Sequence, residues 1–372
     1  MKRILLITRP ISPPWDEASK NFAFYLAKNI GNDFEMNLMT KGTVSGLAKN
    51  VIQHPVYTTA EIAEFNLEQK LRSIFFQFKN KEKFDINHYF FTPTKLNSFL
   101  IKNFLKPTHG KTIQTVAALR EDLWSDDDIK KLMFADLIIT YSDYAKNKLE
   151  SLGFKNILRI YPGIDLQKFQ PTMKNLQTMD ILGIRHDDFV ISYPGEYTRL
   201  GATDDIVGML PMLFEKLPKA KFMFACRVKN DKDALKKDEL VKKLKEWNIF
   251  DRVIFTDTFG EMPKLYNVSD LIIFPVRDMK GKFDVPLAVV EAFACAKPVI
   301  ISNLPILQEF ANNGNSVIIP TGDTSELLAQ IAALAGDKVR RENIGSAARK
   351  YVEENFDITK VAQKYKELYL NL

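Results

Sequence analysis

The feature that most constrains this chain is a rhythm of short apolar runs of strand length alternating with stretches of helical periodicity, sustained from end to end. In the first half the runs are RILLITR, EMNLMTK, INHYFF, KTIQTV, LIITYS and ILRIYPG; in the second they are FVISYPG, KFMFACR, RVIFTD, LIIFP, KPVIIS and SVIIP. A strand that is apolar throughout is covered on both faces, and a helix between two such strands is the crossover that parallel pairing requires. The alternation therefore predicts doubly wound parallel sheets of the α/β class. A chain of 372 residues exceeds what one core usually serves, so two Rossmann-like domains facing a cleft are expected. The join falls in residues 160–175, where a strand ends in Pro162-Gly163 and a polar stretch follows. The expected domains are 1–165 and 166–357, with a terminal helix over 358–372 free to pack back on the first.

Composition narrows the class. The chain is 46% hydrophobic and 26% charged, with no apolar run near the roughly 20 residues that span a bilayer. The apolar stretch 4–7 is too short for a signal peptide and reads as a first strand. Cys226 and Cys295 sit in apolar segments, as buried thiols of a reducing compartment do, which points to the cytoplasm. The net charge of +6 suits phosphate-bearing ligands or an anionic membrane face and is too small to argue for nucleic acid. Residues 236–247 are basic but interleaved with acids, as on a solvated helix face. QKLRSIFFQFKNKEKF and TKLNSFLIKNFLKPTHGK mix phenylalanine with lysine. Packing of those phenylalanines on a sheet is the expectation; peripheral contact with an inner membrane face is the alternative.

In open α/β sheets ligands collect at the carboxyl ends of strands, where the next helix offers free N–H groups to an anion. Three segments have that placement. The turn PGEYTRLGA, residues 194–202, lies between a strand and a helix, as phosphate cradles do. Arg227 follows another strand, with Lys229 behind it. FDVPLAVVEAFACAKPVIIS, residues 283–302, is a loop with Pro286, a helix carrying Glu291 and a strand. A lone acid in so apolar a helix points to a cleft rather than to solvent.

This last segment resembles the donor-site signature of the retaining GT-B glycosyltransferases of family 4. YPGIDLQKFQP, residues 161–171, is similar to that family's interdomain "Gly-Ile-Asp, apolar, Phe" passage, and residues 251–276 to the passage that lines its nucleotide base. The resemblance implies a nucleotide-diphosphate sugar donor, UDP- or GDP-linked, and a carbohydrate or lipid-linked acceptor. It implies transfer with retention of configuration, with no metal and no cofactor. Glu291 would hold the ribose hydroxyls, Gly195 would open the turn under the diphosphate, and the amides near Pro286 and Leu287 would face phosphate or sugar. A diphosphate leaving group needs cationic stabilisation, for which Arg199 and Arg227 are available.

The sequence also departs from the family. Where paired glutamates stand eight apart, Phe283 precedes Glu291, which leaves Asp284, beside Val285, as the acid nearest the donor sugar. Glu196 replaces the arginine of a Gly-Arg pair, and Arg199 substitutes for a lysine one place later. On the acceptor side Ala117 stands at a histidine position, with Gln114, His88 and Thr92 as nearby polar candidates. The first turn lacks a Gly-Gly pair and carries Trp15, Asp16 and Glu17, which read either as a sugar platform with hydroxyl binders or as a helix cap with its staple. Residues 125–131, SDDDIKK, look like an Asp-x-Asp metal motif but stand where a helix begins, so a dipole role is expected. A non-catalytic nucleotide-sugar-binding or assembly protein of the same fold is the alternative reading.

Overall fold

The computed structural model describes residues 1–13, 18–58 and 66–372. The chain forms two compact units. The first holds Met1–Asp165, Phe283–Val285 and Asn355–Leu372; the second holds Leu166–Lys282 and Pro286–Glu354.

The first unit is built on seven strands: β1 (Lys2–Ile11), β2 (Phe34–Thr40), β3 (Val51–His54), β4 (Ile86–Phe90), β5 (Lys111–Val116), β6 (Leu137–Thr140) and β7 (Ile157–Arg159). They pair in parallel in the order β3-β2-β1-β4-β5-β6-β7. The order reverses between β1 and β4, so the loops that leave those two strands diverge to opposite faces and open a crevice. β1 runs from Ile4 to Ile7 almost without exposure, because helices cover both faces of a parallel sheet.

The terminal helix Ile358–Asn371 belongs to this unit. Ile358, Val361, Ala362, Tyr365 and Tyr369 enter the same core as Phe22, Ala23 and Leu26 of the helix Ala18–Asn29. An isolated parallel bridge, Ile164 to Asp357, seats its start, with the Tyr161 and Phe356 rings stacked 4.5 Å apart beside it. Gly163 is glycine for this reason: a Cβ there would lie 2.6 Å from Ile358 Cδ1 and 2.9 Å from its Cα.

The second unit carries β8 (Phe189–Tyr193), β9 (Ala220–Phe224), β10 (Val253–Phe255), β11 (Leu271–Phe274), β12 (Val299–Ser302) and β13 (Val317–Ile319). All pair in parallel in the order β10-β9-β8-β11-β12-β13, reversing between β8 and β11. The turn after β8 and the loop after β11 leave the sheet at this second switch point, where a ligand site is expected on topological grounds.

Candidate active site

The turn after β8 is shaped by Tyr193. Its ring folds beneath Gly195, where a Cβ would lie 2.0 Å from Cζ, so no other residue fits. The Tyr193 hydroxyl donates to Glu196 O at 3.4 Å and Thr203 Oγ1 to the same carbonyl at 3.1 Å, which pins the turn. Glu196 is only 5% exposed, with Lys229 Nζ and Lys282 Nζ on one carboxylate oxygen and Arg199 Nε 3.2 Å from the other. Burial opposes ionisation of Glu196, but Lys282 and Lys229 outweigh it and hold its carboxyl below the usual range. Burial also lowers the Lys282 ammonium, with Glu196 acting against it. Arg199 Nη1 donates to Gly281 O at 2.9 Å and Arg277 N to Leu200 O at 2.9 Å, so the β8 turn is tied to the loop that follows β11. Arg227, partly exposed, stands past the end of β9.

Glu291 lies on the helix Leu287–Ala294, which no side chain caps; Val289 N turns back to Pro286 O at 3.0 Å, and the Leu287 and Ala288 amides ahead of it face the helix start, where an anion would sit. Pro286 sits at its N-cap. The Tyr266 hydroxyl, on the helix Met262–Val268, donates to Glu291 Oε2 at 2.9 Å. Burial pushes the Glu291 carboxyl up to about 7, with the Tyr266 hydrogen bond and Lys168 acting in the opposite direction. A poised carboxylate one turn from an uncapped helix start can accept two neighbouring hydroxyls while the amides take an anion.

Phe283, Asp284 and Val285 are packed in the first unit. Asp284 N donates to Ala117 O at 2.8 Å, and its carboxylate accepts from Ser142 Oγ, the cap of the helix Asp143–Ser151. Phe283 meets the Tyr141 ring edge-on at 6.0 Å. Both Phe283 and Ala117 line a cavity of about 300 Å³ at the β1/β4 switch point, with Thr8, Arg9, Thr92 and Thr115 among its other walls. Phe283 and Ala117, the two positions that depart from the resembled pattern, thus meet at one cavity.

His88 is fully buried away from this cavity, its Nδ1 2.7 Å from Tyr369 Oη and its Nε2 2.7 Å from Thr115 Oγ1, with its ring stacked on Phe90 at 3.9 Å. Burial holds its pKa well below the ordinary value. Gln114 is also in the core, accepting from Phe134 N at 3.2 Å. Trp15, Asp16 and Glu17 lie outside the described residues. Asp126, Asp127 and Asp128 form the first turn of the helix Asp126–Leu132, capped by Ser125, and Asp126 and Asp128 pair with Lys148 and Lys95 at 2.8 Å each. Sequence reasoning missed Lys282, Tyr266 and Ser142. Only Lys282, one place before Phe283, carried a local signal.

Two doubly wound parallel-sheet units of this kind define the GT-B class. The HepE protein of Anabaena, solved with UDP and glucose, shares the fold over 100% of both chains, with a TM-score of 0.77 at 17% identity. Residues 188–337 match the family model described as glycosyl transferases group 1. The N-acetyl-alpha-D-glucosaminyl L-malate synthase of Bacillus anthracis is 23% identical over 337 residues, 87% of this chain and 81% of that one. The capsular polysaccharide biosynthesis glycosyltransferase CapM of Staphylococcus aureus is 24% identical over 234 residues, 62% of this chain and 58% of its own. The chain is thus similar, over its second unit and at low identity over most of its length, to glycosyltransferases of group 1.

Proposed function

We propose that this protein is a retaining, metal-independent glycosyltransferase of family 4, working in the cytoplasm. It moves a sugar from a UDP- or GDP-sugar to a glycan or lipid-linked acceptor. One observation carries the reading: the second unit joins, at its switch point, a turn that tolerates only glycine at Gly195, a cluster of cations and the uncapped helix bearing Glu291. Glu291 binds the ribose hydroxyls, the amides near Pro286 and Leu287 meet phosphate or sugar, and Arg199, with Arg227, neutralises the leaving diphosphate. Catalysis then rests on position and charge rather than on a strong base. UDP in the related HepE fold is consistent with this donor chemistry.

Calorimetric titration of UDP and GDP into the wild-type protein and Glu291→Ala tests the assignment. Losing hydrogen bonds to a charged group should weaken the preferred nucleotide about 10- to 100-fold. Equal affinity for both proteins would remove Glu291 from the site.

The second reading, a nucleotide-sugar-binding protein without turnover, is favoured by Glu196, which neutralises cations in the site, and by the Phe283 and Ala117 pair. Release or transfer of sugar from a radiolabelled donor rules it out.

A further inference from the structure

The helix Leu67–Asn80 in the first unit packs Ile74 and Phe76 against the core but leaves a second apolar stripe in solvent. Its most buried residues are polar, Gln69, Ser73 and Gln77, whereas Leu67, Leu71, Phe75 and Phe78 stand in solvent, Phe75 at 67% and Phe78 at 56% exposure. Spacings of 4, 8 and 11 from Leu67 put these four side chains on one stripe of the helix surface. The neighbouring helix Lys95–Leu100 repeats the pattern, burying Ser98 and exposing Leu96 and Phe99, and the Phe99 ring meets exposed Phe104 edge-on at 6.2 Å.

The inward polarity has a use. Ser73 and Gln77 line the cavity at the β1/β4 switch point, and Gln77 Oε1 is buried with no hydrogen-bond partner among the described residues. An acceptor left unpaired there suits a ligand hydroxyl. The outward apolarity has no such account among the described residues of the unit. In water it is unfavourable, and it becomes favourable only against a less polar medium.

Charge indicates which medium. Residues 67–106 hold eight Lys and Arg against three Asp and Glu, 8 − 3 = +5 in a chain whose total is +6. The lysine-rich helix Asp231–Glu246 is nearly balanced by contrast, with six Lys against five acids. Lys79, Lys81, Lys83 and Lys102 lie among the exposed phenylalanines, and Lys81 Nζ is 5.7 Å from the centroid of the Phe78 ring. Apolar rings flanked by long cationic side chains match an anionic lipid surface: the rings enter the acyl boundary and the ammonium groups meet headgroup phosphates. A second copy of this chain would bring two +5 surfaces together, which charge disfavours.

We propose that the helices Leu67–Asn80 and Lys95–Leu100 dock the protein peripherally on an anionic bilayer through Leu71, Phe75, Phe78 and Phe99. The proposal is independent of the donor-site reading. It is tested by flotation of the full chain with vesicles of phosphatidylcholine containing 30% phosphatidylglycerol, and with phosphatidylcholine alone, at low and high salt. The expected result is binding to the anionic vesicles at low salt, weakened at least tenfold by high salt, by omission of phosphatidylglycerol or by Phe75→Ser with Phe99→Ser. Because those side chains are exposed, the double variant should keep its melting temperature and its affinity for UDP. Failure to float with anionic vesicles at low salt would overturn the proposal. So would a concentration-dependent dimer, seen by light scattering, that the same double variant abolishes. Neither result would touch the role of Glu291.

Discussion

Glu196 is held among Lys229, Lys282 and Arg199 as a phosphate would be. Its carboxylate compensates these partly exposed cations when no ligand is present and competes with any diphosphate that approaches them. Glu196→Gln should therefore have opposite effects on stability and affinity. The empty protein should lose about 1 kcal/mol, because a partner is removed from cations that water still partly screens, while UDP should bind about tenfold more tightly by calorimetry. Weaker UDP binding would mean that Glu196 positions the lysines instead of opposing the ligand. Glu291 gives a second prediction, with a definite sign. Its carboxyl sits at about 7 in the folded protein against an ordinary 4.5, so the folded state holds a proton that the unfolded state releases between those values. Stability falls as pH rises through that window. Glu291→Gln should stabilise the ligand-free protein at pH 8 by up to about 3 kcal/mol and do little at pH 4. Binding runs the other way, since the ionised carboxylate accepts hydroxyls best. Affinity for a UDP-sugar, whose diphosphate diester does not titrate near neutrality, should rise from pH 6 to pH 8 in the wild type and stay flat in Glu291→Gln.

The terminal helix is seated at its start by a close contact with the chain before it. Gly163 touches Ile358, and Gly163→Ala would drive a methyl into that helix start. Overpacking of this kind costs about 1–3 kcal/mol, so the urea midpoint should fall. Gly42→Ala, with nothing within 4 Å of the added carbon, serves as the control. The strands were largely legible because apolar runs covered on both faces announce themselves, as Phe189–Tyr193 and Leu271–Phe274 do. The edge strand Val51–His54 escaped, since two of its four residues are polar and it is too short to show a period. The helix Leu67–Asn80 shows how far periodicity reaches. Its apolar and polar faces can be read from the sequence, but which face turns inward depends on the cavity beside it, and the expected packing of its phenylalanines on the sheet fails for Phe75 and Phe78. Of the donor-site candidates, Gly195 and Glu291 were readable from strand-turn-helix context. Tyr266 was not, because a contact between helices 25 residues apart leaves no local trace. Nor does composition mark the places where the chain passes from one unit to the other, after Lys282 and after Val285.

At the scale of the whole molecule, the assignment of roles to the two units can be tested without a turnover assay. A ligand stabilises what it binds, by mass action, and a core mutation loosens the body whose packing it disturbs. The donor residues proposed here, Gly195, Glu196, Arg199, Arg227 and Glu291, belong to the second unit, whereas the seat of the terminal helix at Gly163 and Ile358 belongs to the first. Amide hydrogen exchange read by mass spectrometry should separate the two. Saturating UDP, or GDP if that base is preferred, should slow exchange over Phe189–Tyr193, the turn that follows and Leu287–Ala294. Gly163→Ala should hasten exchange over Ala18–Asn29 and Ile358–Asn371, which share one core, and leave the nucleotide-protected peptides as they were. Protection by nucleotide confined to peptides of the first unit would move the donor site there and remove the basis for the roles given to Glu291 and Arg199.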